Sequence, residues 1–80
     1  MTDTAKAPET LDCRGLLCPL PIIKLSKAIK TIPVGQMLEM LATDPGSVPD
    51  VKAFHAQTGH EIVSSEQQGS VYRFLIRRTK

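Results

Sequence analysis

Two prolines, Pro19 and Pro21, stand directly after Cys18 and open a run of helical periodicity. Proline fixes its own φ and has no N–H, so a helix interior rejects it. The first turn accepts it, because the N–H it lacks would have no partner there. The segment is therefore a helix start. Placing Pro19 at the first helical position makes Cys18 the N-cap, with its sulfur at the positive end of the helix dipole. Thiolate, the reactive form of cysteine, is favoured there. Pro21 then takes the third helical position, which leaves Leu20 as the only non-proline donor in the capping range. These residues predict an exposed, rigidly presented thiol. Its pKa is expected below the free value of about 8.5, with the nearby Arg14 assisting.

The rest of the chain reads as alternating strands and helices. Leu11-Asp12-Cys13 is a short strand, and Arg14-Gly15 breaks it, with Gly15 supplying an unusual backbone angle. From Pro19 onward Ile22, Leu25, Ala28, Ile29 and Ile32 recur at spacings of three and four, with Lys24, Lys27 and Lys30 on the other side. That is an amphipathic helix, ended by Pro33-Val34-Gly35. Met37 to Thr43 is apolar apart from Glu39 and reads as a central strand. Asp44-Pro45-Gly46 is a turn. Ser47 and Asp50 have the spacing of a capping box, and the helix they open runs to about Thr58 before Gly59. Its core side is Val48, Val51 and Phe54, with His55 beside Val51 on the inner side. Glu61 to Glu66 and Val71 to Arg78 form a hairpin around Gln67-Gln68-Gly69-Ser70. In the last strand Tyr72, Phe74 and Ile76 point one way; Val71, Arg73, Leu75 and Arg77 point the other. The order β-α-β-α-β-β predicts an α+β fold: a two-layer open-faced sandwich of a four-stranded mixed sheet with two helices on one face.

Eighty residues bound this to one domain, which buries only about 60–65% of its unfolded surface. Residues 1–9 are polar, lack the apolar stretch of a secretory signal and read as a disordered tail before a single domain over 10–80. No apolar run approaches the roughly 20 residues that span a bilayer. Two cysteines are too few for a disulfide scaffold, which fits a cytoplasmic protein. The net charge of +2 does not by itself argue for nucleic acid. Arg73, Arg77, Arg78 and Lys80 make a basic edge, but no aromatic platform accompanies it, which argues against direct RNA recognition.

Leu11-Asp-x-Arg14-Gly15-Leu16-x-Cys18-Pro19-x-Pro21, the Asp44-Pro45 turn and the tail Tyr72-Arg73-Phe74-Leu75-Ile76-Arg77 together resemble the TusA/SirA family of sulfur carrier proteins. The resemblance covers about Thr10 to Arg78. It departs from the common pattern at Cys13, where many members carry a small non-thiol residue, and at Leu20, where TusA proper often has an acid. The resemblance implies the β-α-β-α-β-β fold and a persulfide carried on Cys18. It also implies sulfur arriving from a cysteine desulfurase or other persulfide donor and passing to a relay acceptor protein. The pathways it implies are tRNA 2-thiouridine synthesis, sulfur oxidation or cofactor supply.

Several residues admit two readings. Cys13 is either a small apolar strand residue or a resolving thiol for Cys18. His55, His60 and the two cysteines match no common structural zinc spacing, so neither a metal nor a cofactor is expected. Lys24 and Lys27 are either a solvated helix face or, with Leu20 and Ile23 projecting away from the apolar stripe, a partner-docking surface beside Cys18. The reading these residues support is a monomeric, sulfurtransferase-type persulfide carrier with no substrate pocket of its own. The alternatives are a thiol–disulfide redox protein using Cys13 and Cys18, and a non-catalytic interaction or regulatory module.

Overall fold

Alternation decides the sheet. In the computed structural model, which describes residues 8–80, β2 (Met37–Ala42) buries Leu38, Met40 and Ala42 and turns Met37, Glu39 and Leu41 to the opposite face. β4 (Val71–Arg77) does the same, with Phe74 and Ile76 inward and Val71, Arg73, Leu75 and Arg77 outward. β1 (Glu9–Cys13) lies parallel to β2 at one edge, with Cys13 opposite Ala42. β3 (Glu61–Gln68) lies antiparallel to β4 at the other, giving the order β1-β2-β4-β3. The strand thus starts at Glu9, the last residue of the segment read as a tail; residues 1–7 of that segment lie outside the described residues.

Both helices cover the inward face. α1 (Leu20–Ala28), extended by a 3-10 turn (Ile29–Thr31), contributes Leu25 and Ile29, with Ile32 just beyond. α2 (Ser47–Thr58) contributes Val51 and Phe54, and Val48 packs against the same core from partial exposure. Each of these side chains contributes about 1.5–3 kcal/mol when fully buried. The two-layer α+β sandwich expected from the sequence is the one observed. Gly59, at φ +81°, ends α2 by donating its N–H to the His55 carbonyl at 2.8 Å, in the left-handed conformation that glycine adopts without strain.

Three local expectations are corrected. The hairpin loop has two residues rather than four, because Gln67 and Gln68 pair with Tyr72 and Val71. Gly69 supplies the positive φ, +61°, that a two-residue loop needs. Ser47 does not form a capping box: Gly46 is the cap residue, and the Ser47 hydroxyl is buried without a partner. His55 is exposed rather than turned inward. Its Nδ1 lies 2.6 Å from the His60 carbonyl, while the buried His60 ring packs on Phe54 at 5.8 Å between centroids.

The basic edge also dissolves on folding. Arg73 pairs with Glu39, which also accepts a hydrogen bond from Thr10, and reaches Glu66 at 3.4 Å. Arg77 faces Glu61 at 3.6 Å. Arg78 turns back to donate to the Ile32 carbonyl at 2.7 Å. Cross-strand register brings acids to two of these arginines.

Register also fixes two poles. β1 begins opposite Leu38, and Leu38 lies opposite Ile76 near the end of β4. The first strand starts and the last strand finishes at one pole. At the other, β1 and β2 end side by side, and the loops that follow them meet.

Candidate functional site around Cys18

Those two loops hold Cys18. After β1, Asp12 and Arg14 form a two-point ion pair at 2.9 Å that closes the turn locally. The guanidinium holds the Asp12 carboxyl well below the usual range, at about 2. Gly15 follows at φ +82° and donates its N–H to the Thr43 hydroxyl at 2.9 Å, which links the two loops. The Cys18 N–H then donates to Asp44 Oδ2 at 2.6 Å, and the Gly46 N–H to Asp44 Oδ1 at 3.3 Å. One carboxylate therefore clasps both loops. Gly46 sits directly under the cysteine: a Cβ built there would lie 3.2 Å from Cys18 Cβ and 3.6 Å from Sγ.

The helix start differs from the expected one by a residue. Leu20 is the first helical residue, Pro19 is the cap and Pro21 lies in the first turn, so Cys18 precedes the cap. The Cys18–Pro19 peptide bond is cis. The one donor left between the prolines, Leu20 N–H, is taken by the Leu17 carbonyl at 2.9 Å. That bond closes a turn across Leu17–Leu20, and the sulfur receives no backbone hydrogen bond from the helix it precedes.

Sulfur finds a carboxylate instead. Cys18 Sγ donates to Asp50 Oδ2 at 2.7 Å, from the first turn of α2. The Cys18 pKa is raised, opposite to the expectation from the dipole. The hydrogen bond to Asp50 is the main cause, followed by desolvation and the negative charges of Asp50 and Asp44. Arg14 offers no relief, because its guanidinium is committed to Asp12. Nearby anions disfavour thiolate, and at these distances they outweigh a dipole that has no N–H aimed at the sulfur. The thiolate's ultraviolet absorbance, taken as the difference between wild type and Cys18→Ser, is expected to appear with a midpoint above about 8.5. A midpoint at or below that value would restore the dipole as the dominant effect.

Cys13 and Cys18 are both free thiols, with opposite surroundings. Cys13 is fully buried in the core, where desolvation raises its pKa, while Cys18 is exposed. The small-apolar reading of Cys13 is the one the packing supports. Around Cys18 the surface is apolar and then basic: Leu17, Leu20 and Ile23 are 71%, 46% and 43% exposed, and Lys24 and Lys27 follow on the same helix. Leu16 instead packs against the core. Among the described residues, no group of three or more His, Cys, Asp or Glu side chains is placed to hold a metal ion.

Asp44 and Asp50 are the residues the sequence reading missed. Their signals were present, as a turn acid before Pro45 and an acid three residues after Ser47, but both were read as local devices. Comparison with known proteins agrees with the geometry. The family model described as sulfurtransferase TusA matches residues 9–78. The sulfur carrier protein TusA of Allochromatium vinosum is 45% identical over 71 residues, spanning 89% of this chain and 93% of its own. A Bacillus subtilis protein described as a candidate sulfur carrier, YrkF, is 42% identical over 73 residues, spanning 91% of this chain but only 40% of its own. The crystal structure of a SirA-like protein from Desulfitobacterium hafniense superposes with a TM-score of 0.76 at 22% identity, covering 89% of this chain and 97% of that one, and supports the fold. With an exposed cysteine between two converging loops, and a family match over nearly its whole length, this chain belongs to the TusA sulfurtransferase family.

Proposed function

We propose that this protein is a sulfur carrier that holds a persulfide on Cys18. The observation that carries the reading is the exposed thiol, held against Asp44 and Gly46 of the loop after β2 and Asp50 of α2, and rimmed by exposed apolar residues. Relatives described as sulfur carriers support it. The donor is a cysteine desulfurase or another protein persulfide. The acceptor is a relay protein cysteine, in a pathway such as tRNA 2-thiouridine synthesis or sulfur oxidation. Cys18 attacks the outer sulfur of the donor persulfide and later yields that sulfur to the acceptor thiol. A cytoplasmic setting fits two unpaired thiols, and no described helix is long and apolar enough to cross a membrane. Intact-mass measurement after exposure to a cysteine desulfurase and cysteine tests the reading. Gain of one sulfur atom, reversed by reductant, is expected; an unchanged mass would overturn it.

Docking is assigned to Leu20, Ile23, Lys24 and Lys27. A transient sulfur-passing encounter needs a small interface, with apolar contacts for affinity and charge for steering. Ile23→Asp is expected to slow transfer with a protein partner at least tenfold. Its folding stability should change by no more than about 0.5 kcal/mol, as for other surface substitutions. Lys27→Glu should slow association chiefly at low salt, where charges more than about 10 Å apart still interact. Transfer kinetics with circular dichroism as the folding control would measure both. Wild-type rates in both folded variants would move docking elsewhere.

A further inference from the structure

Cys18 is exposed, and its Sγ donates to Asp50 Oδ2 at 2.7 Å. This is a long-range arrangement between residues 32 apart in sequence, built by three separate supports. Asp44 anchors the Cys18 backbone N–H, Gly46 leaves room for Cys18 Cβ, and the first turn of α2 delivers the Asp50 carboxylate. Asp50 makes no capping bond to its own helix, so its contact with the sulfur is not a by-product of capping. No lysine, arginine or histidine makes a hydrogen bond or ion pair with Asp50 among the described residues. The charged groups that bear on the sulfur are Asp50 and Asp44.

We propose that Asp50 is the proton relay for sulfur transfer at Cys18, taking the thiol proton as the sulfur attacks and returning it to the departing thiolate. This rests on Cys18 being the sulfur carrier. In the loading step the Cys18 S–H bond breaks, with its proton passing to Asp50. The sulfur's electron pair forms a bond to the outer sulfur of a donor persulfide, R–S–SH, and the donor's S–S bond breaks. R–S⁻ leaves and takes the proton from Asp50. The products are Cys18–S–SH and R–SH, so atoms, charge and electrons balance without an added oxidant: Cys18 is oxidised to the persulfide level as the donor is reduced to a thiol. Unloading runs the same way, with the acceptor thiol's proton passing through Asp50 to the departing Cys18 sulfur.

A relay resolves a conflict the site would otherwise carry. Two carboxylates beside a thiol lower its thiolate fraction, and the thiolate is the nucleophile. They also make Cys18 a poor leaving group, because a sulfur of higher pKa departs more slowly. A carboxyl group in contact with the sulfur that accepts the proton during attack and donates it during departure removes both penalties. Positioned proton transfer of this kind typically contributes about 10²–10⁴-fold to a rate.

The test separates a relay from a mere negative charge by sign. With glutathione persulfide as donor at pH 7, loading is followed by intact mass. The thiolate midpoint is read separately from ultraviolet absorbance. Asp50→Asn removes the charge, so the midpoint falls and the thiolate fraction rises. If Asp50 acts only as a charge, the variant loads faster than wild type, and the relay is overturned. If Asp50 is the relay, the variant loads at least tenfold more slowly despite its more acidic thiol. Should Asp50→Asn fail to fold, wild type alone decides through its exchange with glutathione disulfide, a sulfur electrophile whose S–S bond does not titrate. A relay gives a rate nearly flat between about pH 6 and pH 8, above the ordinary carboxylate range and below the free-thiol value. A rate rising tenfold per pH unit across that interval would refute it. Wild type that takes up no sulfur on Cys18 would instead remove the carrier reading on which the relay rests.

Discussion

Cys18→Ser is expected to reduce sulfur uptake from a cysteine desulfurase to background, while Cys13→Ala takes up sulfur at close to the wild-type rate. A serine hydroxyl is far less acidic than a thiol and a much weaker nucleophile toward sulfur, and it cannot form the S–S bond of a persulfide. The fold should hardly notice the change. Cys18 is exposed, and the backbone N–H that anchors it to Asp44 is kept. Cys13→Ala has the opposite profile. It removes a fully buried sulfur from the core, on the β1 residue paired with Ala42, at a cost of about 1 kcal/mol by comparison with other small core truncations. Intact mass gives the uptake and urea denaturation the stability. If Cys18→Ser loads like wild type, the carrier atom is elsewhere. If Cys13→Ala fails to load while remaining folded, the two-thiol redox reading returns.

Phe74→Ala is expected to destabilise the fold more than any other variant described and to lower the urea midpoint sharply. Phe74 is 1% exposed on β4, a central strand, paired with Met40 on one side and Ser65 on the other. Removing a buried phenylalanine side chain costs about 3–5 kcal/mol. At 0.05–0.15 kcal/mol per residue, a chain of 80 residues has roughly 4–12 kcal/mol in total. The loss is therefore most of the stability at the lower end of that range. Leu17→Ala, on a side chain 71% exposed, is the matching control and should shift the urea midpoint little. Equal effects from the two would mean that the core has been misplaced.

The sequence carried the fold because two independent periodicities agreed. Spacings of three and four placed Leu25, Ile29 and Ile32 on the buried side of α1, and alternation placed Phe74 and Ile76 on the buried side of β4, as observed. Gly59 ended α2 where it was expected to. What escaped was the turn at the start of α1 and the contacts set by tertiary register. Nothing near Leu20 in the sequence announces that its N–H will turn to Leu17 and leave the sulfur uncapped. Spacing offers Asp50 to Ser47, but folding carries it to a cysteine 32 residues away. Glu39 reaches Arg73 only because β2 and β4 are neighbours, so an edge that looks basic in one dimension is paired in three. Local pattern specified the scaffold, and long-range geometry specified the chemistry.

The two poles of the sheet bear on how such a module is joined to others. β1 starts and β4 ends at the pole opposite the loops that hold Cys18. A second folded unit can therefore be grafted onto either strand terminus without shading the sulfur, and its tether would trail behind the reacting face. The same layout makes the far pole the place to attach a fluorophore or immobilising tag.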